Sequence, residues 1–184
     1  MKNPFLVGAD IYLRPLELDD ADNYVGWLND ADVARHLHAG TFPFNRLREE
    51  DYIRNLYQDQ QKMNLGIVLR KDDLHIGSVG LDGIRLTDRR AQLGIVIGET
   101  DCWGKGYGPQ AIRLMLRHAF HALNLNRVSL KVFEPNKRAH ACYLKVGFVE
   151  EGRLREEHYG EGRYHDVLMM SVLRSEWEES EGHN

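Results

Sequence analysis

The sequence predicts an α+β domain, a mixed α/β arrangement around one sheet of seven strands with about four helices. Three observations predict it. Strand-like runs outnumber the helices that could serve as crossovers, which rules out a purely parallel, doubly wound sheet. Two pairs of runs are joined only by short turns, at Asp72-Asp73 and at a glycine-containing turn near Gly160 to Gly162, as antiparallel hairpins require. Between the hairpins lies a long stripe of apolar residues at helical spacing, the mark of a helix packed on a sheet.

The elements follow in order. Asp10 to Leu16 carries a short apolar segment and reads as a strand. Leu18-Asp19-Asp20 offers N-cap chemistry to a helix carrying Tyr24, Trp27 and Leu28. Pro43 breaks the pattern. A second helix spans 45–62, with Leu47, Ile53, Leu56 and Tyr57 on its apolar face. Strands at 64–71 and 74–84 flank the Asp72-Asp73 turn. The run at 89–99 ends in continuous apolar residues, as a central strand does. Ile112, Met115, Leu116, Ala119, Phe120 and Leu123 form the helical stripe. A strand at 126–133 follows, then a helix from Asn136, an N-cap, to Gly147, a C-cap. Two strands, 148–159 and 162–173, close the chain, and the polar tail from about 178 is expected to fray. One domain over 1–184 is the simplest division.

A formal charge of −4 is mild and of the wrong sign for a nucleic-acid binder, but suits a cationic small substrate. Cys102 and Cys142 lack metal or disulfide-framework spacing and read as free thiols in a reducing cytoplasm. No apolar run is long enough to span a membrane, and the N-terminus lacks the pattern of a signal peptide.

Residues 102–109, CWGKGYGP, place Gly104, Gly106 and Gly108 between a strand and a helix. Such a turn either reverses the chain or holds an anion, since a helix N-terminus presents unpaired N–H groups and partial positive charge. Glycines admit a phosphate to those amides, and Lys105 adds a charge. The spacing does not fit a nucleoside-triphosphate loop or a dinucleotide fingerprint. Pro109 has no N–H to give and suits the first helical position.

From the first strand to the last hairpin, three segments in order resemble the GCN5-related N-acetyltransferase (GNAT) superfamily: the 89–120 strand, loop and helix, the "NKRA" start at 136–139, and "CYLKVGF" at 142–148. The likeness is strongest to the branch of ribosomal-protein and spermidine N-acetyltransferases. The resemblance implies a twisted sheet split like a V beside the 89–99 strand. It implies acetyl-CoA in that split, along Leu93, Ile95, Val96 and Ile97, with the diphosphate on Trp103, Gly104, Lys105, Gly106, Tyr107 and Gly108. Asn136 then contacts the pantetheine arm, or serves only as an N-cap. Tyr143 takes the place of the family's proton donor to the leaving thiolate, and a backbone N–H near Ile97 that of the donor to the thioester carbonyl.

The proton on the acceptor amine needs a base. Many relatives carry a Glu where this chain has Gln92, which cannot serve. Glu99 and Glu134, at strand ends, are the candidate bases; both also read as solvated surface charges, and a water chain would suffice. Trp27, Phe42, Phe44, His158 and Tyr159 are candidates to wall the acceptor site, or to be core. His36 and His38 lack a third metal ligand, so no metal is expected. The expected activity is transfer of acetyl to a primary amine, either a small amine or polyamine or a protein N-terminus, by a homodimer or larger assembly. A non-catalytic acyl-CoA sensor is the alternative that Gln92 favours and Tyr143 opposes.

Overall fold

In the computed structural model, which describes residues 1–37 and 42–181, the apolar runs assemble into one sheet of eight strands. The strands are β1 (Leu6–Val7), β2 (Ile11–Pro15), β3 (Met63–Leu69), β4 (His75–Arg85), β5 (Arg90–Ile97), β6 (Arg127–Phe133), β7 (Val149–Gly160) and β8 (Arg163–Leu173). Their order is β1-β2-β3-β4-β5-β6-β8-β7, antiparallel throughout except for β5 beside β6. The helices are α1 (Ala21–Asn29), α2 (Ala31–Ala34), α3 (Arg46–Leu56), α4 (Tyr107–Arg117), α5 (Lys137–Val146) and α6 (Arg174–Glu181).

Period-two alternation along β5 sorts the core into two sides. Ile95 and Ile97 pack with the large cluster built around Ile112, Met115 and Leu116 of α4, Ile67 of β3 and Ile76 of β4. Val96 packs instead with a smaller cluster of Leu16, Tyr24, Trp27, Ile53 and Leu56, under α1 and α3. Ile112, Met115 and Leu116 are fully buried, and each contributes about 1.5–3 kcal/mol of burial. This stripe fixes which turn of α4 faces the sheet, and so where its N-terminus emerges.

A buried ionic group ties α1 to the sheet. Arg14 of β2 donates from both terminal nitrogens to Asp20 at 2.7 Å, and His75 Nδ1 lies 3.0 Å from the same carboxylate. The Glu17 N–H donates to Asp20 as well, at 2.8 Å, closing the 3-10 turn Leu18–Asp20 ahead of α1. Burial alone would raise the Asp20 carboxyl, but the hydrogen bonds from Arg14 and His75 outweigh it and hold it well below the usual carboxylate range.

The structure departs from the sequence reading at several points. The sheet has eight strands, not seven, because Leu6–Val7 adds to β2 by two residue pairs. There are six helices, not four; α2 is a single turn capped by the Asp30 side chain on the Asp32 and Val33 amides. The second predicted helix stops at Leu56; of its predicted apolar face Ile53 and Leu56 are buried, while Leu47 and Tyr57 are exposed and Glu49 is buried in their place. The stripe after Arg117 continues as a π-turn, His118–Ala122, that keeps Ala119 and Phe120 buried. The tail does not fray at 178: α6 runs to Glu181 and buries Trp177 against Phe120, with ring centroids 5.6 Å apart.

Candidate active site

β5 and β6 pair only from Arg90 to Gln92 and from Arg127 to Ser129, then diverge. The split leaves Leu93–Ile97 without a neighbour on one side. Gly98 N–H reaches across to Ile76 O on β4 at 2.8 Å. Backbone groups alternate sides along a strand, so those of Leu93, Ile95 and Ile97 face the split and those of Val96 face β4. A cavity of about 550 Å³ occupies the split, lined by Leu93–Ile97 on one arm and by Val132, Phe133, Asn136 and Tyr143 on the other. Val96 lines it too, so it contributes a side chain rather than a free backbone edge.

The glycine loop closes one end. Gly104 and Gly106 have φ of +73° and +86°, a region that favours glycine, and Gly106 is the residue before α4. The first bond that closes α4 runs from Gln110 N–H to Gly106 O at 3.3 Å. Among the described residues, the five amides from Gly104 to Gly108 donate to no backbone carbonyl. That row of unpaired donors, at the positive end of a helix dipole, fits a diphosphate. Pro109 is the third residue of α4, not the first, but still lies in the turn whose N–H groups have no helical partner. Gly104, Gly106, Tyr107 and Gly108 line the cavity; Lys105 is exposed on the outer side of the loop.

Two side chains that the sequence reading missed set the loop. Gln110 Oε1 accepts the N–H groups of Asp10 and Ile11 at 2.9 and 3.0 Å, pinning the start of α4 to β2. Arg138 of α5 stacks its guanidinium 3.6 Å from the centroid of the Trp103 ring, a cation–π contact across the split. Trp103 Nε1 also donates to Ile97 O at 2.7 Å. Trp103 is therefore a brace between loop, β5 and α5. No pattern at one position in a sequence could announce either contact.

Tyr143 lines the cavity, is 8% exposed, and its hydroxyl has no hydrogen-bond partner among the described residues. Burial pushes its phenol well above the ordinary tyrosine range, so it is a protonated donor at every physiological pH. Its neighbour Cys142 is pushed up to about 11 by the same burial. Asn136 caps α5 through its side-chain oxygen, which accepts Ala139 N–H at 3.1 Å. Its amide nitrogen bonds no described residue at the cavity wall, so capping leaves that group available to a ligand.

Neither candidate base lines the cavity. Glu99 accepts the Trp27 indole N–H at 2.9 Å, and Glu134 pairs with Lys137 at 3.5 Å and Arg153 at 3.9 Å. One carboxylate fastens α1 to the end of β5, and the other sits in a surface ion cluster. Gln92 does line the cavity. His36 lines it as well, and burial lowers its pKa; His38 lies outside the described residues.

A second cavity of about 420 Å³ lies between α1, α3 and strands β3 to β5, and shares Gly94, Ile95 and Val96 with the first. Phe44 lines it, with Arg48 held 4.0 Å over its ring centroid. Trp27 does not: it is a core residue, packed so closely on Gly98 that a Cβ there would lie 2.0 Å from the indole. Phe42 and Tyr159 are exposed and line neither cavity, while His158 stacks at 3.8 Å on Phe133, a residue of the first.

Donor-binding split, helix-capped glycine loop and protonated tyrosine together define an acyl-CoA-dependent transferase. Residues 10–149 match the family described as Acetyltransferase (GNAT) domain, and the chain belongs to that family. It is 39% identical to a spermidine N(1)-acetyltransferase of Vibrio cholerae over 93% of this chain and 97% of the other. It is 32% identical to a Bacillus subtilis protein provisionally named a ribosomal N-acetyltransferase, over 94% and 96%. A crystal structure of a Vibrio cholerae spermidine N-acetyltransferase with CoA and spermine superposes with a TM-score of 0.85 at 28% identity, covering 92% of this chain and 99% of that one. The chain is thus an N-acetyltransferase that uses acetyl-CoA. No helix among the described residues is long and apolar enough to cross a membrane.

Proposed function

We propose that this N-acetyltransferase acetylates a small, cationic primary amine, by direct attack of the neutral amine on the thioester while both substrates are bound. The observation that carries the reading is the meeting of the two cavities at Gly94–Val96. One cavity ends in unpaired amides suited to a diphosphate. The other is walled by aromatic and aliphatic side chains with Glu49, Asp82, Arg48 and Lys62 among them, and no glycine loop at a helix N-terminus lines it among the described residues. The Vibrio cholerae relative, crystallised with CoA and spermine, supports a cationic amine as the kind of ligand.

The donor supplies an activated acetyl group. The amides of residues 104–108 hold its phosphates, and the split-facing groups of Leu93 and Ile95, with Asn136, align its arm. The Ile97 N–H faces the split and is suited to receive the thioester oxygen as charge develops there. Ile97 O is already taken by Trp103, which leaves the N–H as the strand's free group at that level. As the amine nitrogen bonds to carbon and the carbon–sulfur bond breaks, Tyr143 gives its proton to the departing sulfur. Gln92 takes no proton, so the ammonium proton leaves to solvent before attack; the extra proton on the acylated nitrogen then passes through solvent to the Tyr143 phenolate and restores the phenol.

An acceptor screen by mass spectrometry tests the reading, using polyamines, amino sugars, aminoglycosides and peptides. Acetylation of small amines at least tenfold more efficient than that of peptides is expected. A preference for peptide N-termini would overturn it.

A further inference from the structure

The second cavity holds a carboxylate that no described residue hydrogen-bonds, Glu49, with the charge of Arg48 its one attractive influence among them. Glu49 lines it, is 4% exposed, and makes no side-chain hydrogen bond or ion pair with any described residue. Proteins rarely leave a buried carboxylate without a partner, because desolvating the charge is costly. Neither cation of the cavity forms an ion pair with it: Arg48 lies over Phe44 and acts on Glu49 only through its field, and Lys62 is 3.9 Å from Asp59. The other anion, Asp82, is exposed at the rim.

The floor of the cavity leads from the reaction centre to this carboxylate. Gly94, Gly80 and Asn64 are register partners on β5, β4 and β3, one residue per strand. The two glycines keep the path open; a Cβ at Gly80 would meet Met63 O at 2.5 Å and Asn64 Oδ1 at 2.9 Å. Asn64 donates to the Tyr52 hydroxyl at 2.9 Å, and Glu49 sits one turn before Tyr52 on α3. Two inter-strand steps make this path about 10 Å long.

Resting on the acceptor assignment above, we propose that Glu49 is a specificity-determining residue: its carboxylate receives a second cationic group of the acceptor, remote from the nitrogen that is acetylated. It is not suited to hold the reacting nitrogen. An anion beside an ammonium favours the charged form, and the charged form cannot attack. At the far end of the path the same attraction only anchors the substrate.

The test is calorimetric titration of the full chain, saturated with CoA, with α,ω-diamines of four, six and eight carbons and with monoamines of the same lengths. Wild type is expected to bind the best diamine at least thirtyfold more tightly than its monoamine. Glu49→Gln, with Glu49→Leu as a second variant, should bring the two within threefold, while CoA affinity stays within twofold. Without acceptor, both variants should melt at or above the wild-type temperature, since each removes an unpaired buried charge; a structural role would lower it. A diamine preference that survives in the variants, or is missing from wild type, overturns the proposal. Titration needs no turnover, so the two readings separate. Loss of preference in the variants with peptides as the better substrates sinks the acceptor class alone, and equal diamine binding alongside diamine acetylation sinks Glu49 alone.

Discussion

Replacing Tyr143 with Phe removes one oxygen from the wall of the split and little else. The hydroxyl bonds no described residue, so the fold loses no contact, and the ring keeps its packing on Phe148 at 5.9 Å. What changes is the fate of the sulfur. Cys142, one residue away, shows what this environment does to a thiolate: burial carries its thiol from 9.0 to about 11. Loss of a general acid at the leaving group costs roughly 2–3 kcal/mol. The phenol is shifted in the same direction, so acid and leaving group stay matched. Without the phenol the sulfur must depart unprotonated, which costs about a hundredfold in kcat, within the range for general acids. A continuous thiol-release assay at saturating amine measures it. The KM for acetyl-CoA should move less than threefold, because the hydroxyl acts on the departing sulfur and not on the phosphates. A variant with more than half of wild-type kcat from pH 6 to 9 would refute the assignment.

Other expectations follow from the same coordinates. Gly106→Ala forces an L-residue to φ +86° at the mouth of the phosphate loop; CoA affinity by calorimetry should fall at least tenfold. Gly98→Ala drives a methyl into the Trp27 ring, and chemical denaturation should report a loss of 2 kcal/mol or more. Asp20→Asn leaves Arg14 without its buried counter-ion and should cost about 3 kcal/mol. The sign of its pH dependence is fixed: a carboxyl depressed in the folded state stabilises above its unfolded pKa of about 4, and that stability disappears as pH falls through the lower folded value. Melting curves of wild type should therefore drop more steeply than those of the variant below about pH 4. Cys142 should react slowly with thiol reagents at pH 7.5, faster as pH approaches 11, and more slowly again with CoA bound.

Much of the donor side was legible because its signals are local. Strand alternation, the 112–120 stripe, the Asn136 and Gly147 caps and the glycine spacing each occupy neighbouring positions, and the structure keeps all of them. The acceptor side was not, because its logic is tertiary. Leu47 and Tyr57 looked like the inner face of α3 only because a carboxylate is the last residue type expected there; the true stripe is Glu49, Ile53 and Leu56. That phase, a Glu at i with apolar residues at i+4 and i+7, was the available signal. Trp27 looked like a cavity wall, and Glu99 like a base, because composition cannot reveal that each is the other's hydrogen-bond partner. Gln110 and Arg138 act on residues 100 and 35 positions away, Asp10 and Trp103.

The three residue pairs that join β5 to β6 work as a hinge pin set at one end of a gate. The arms beyond it share no strand hydrogen bonds; above them α4 and α5 are joined by Arg113, which donates to Lys145 O at 3.1 Å. What latches the arms at the open end is the stack of Arg138 on Trp103. Admitting the donor therefore costs the sheet nothing already made.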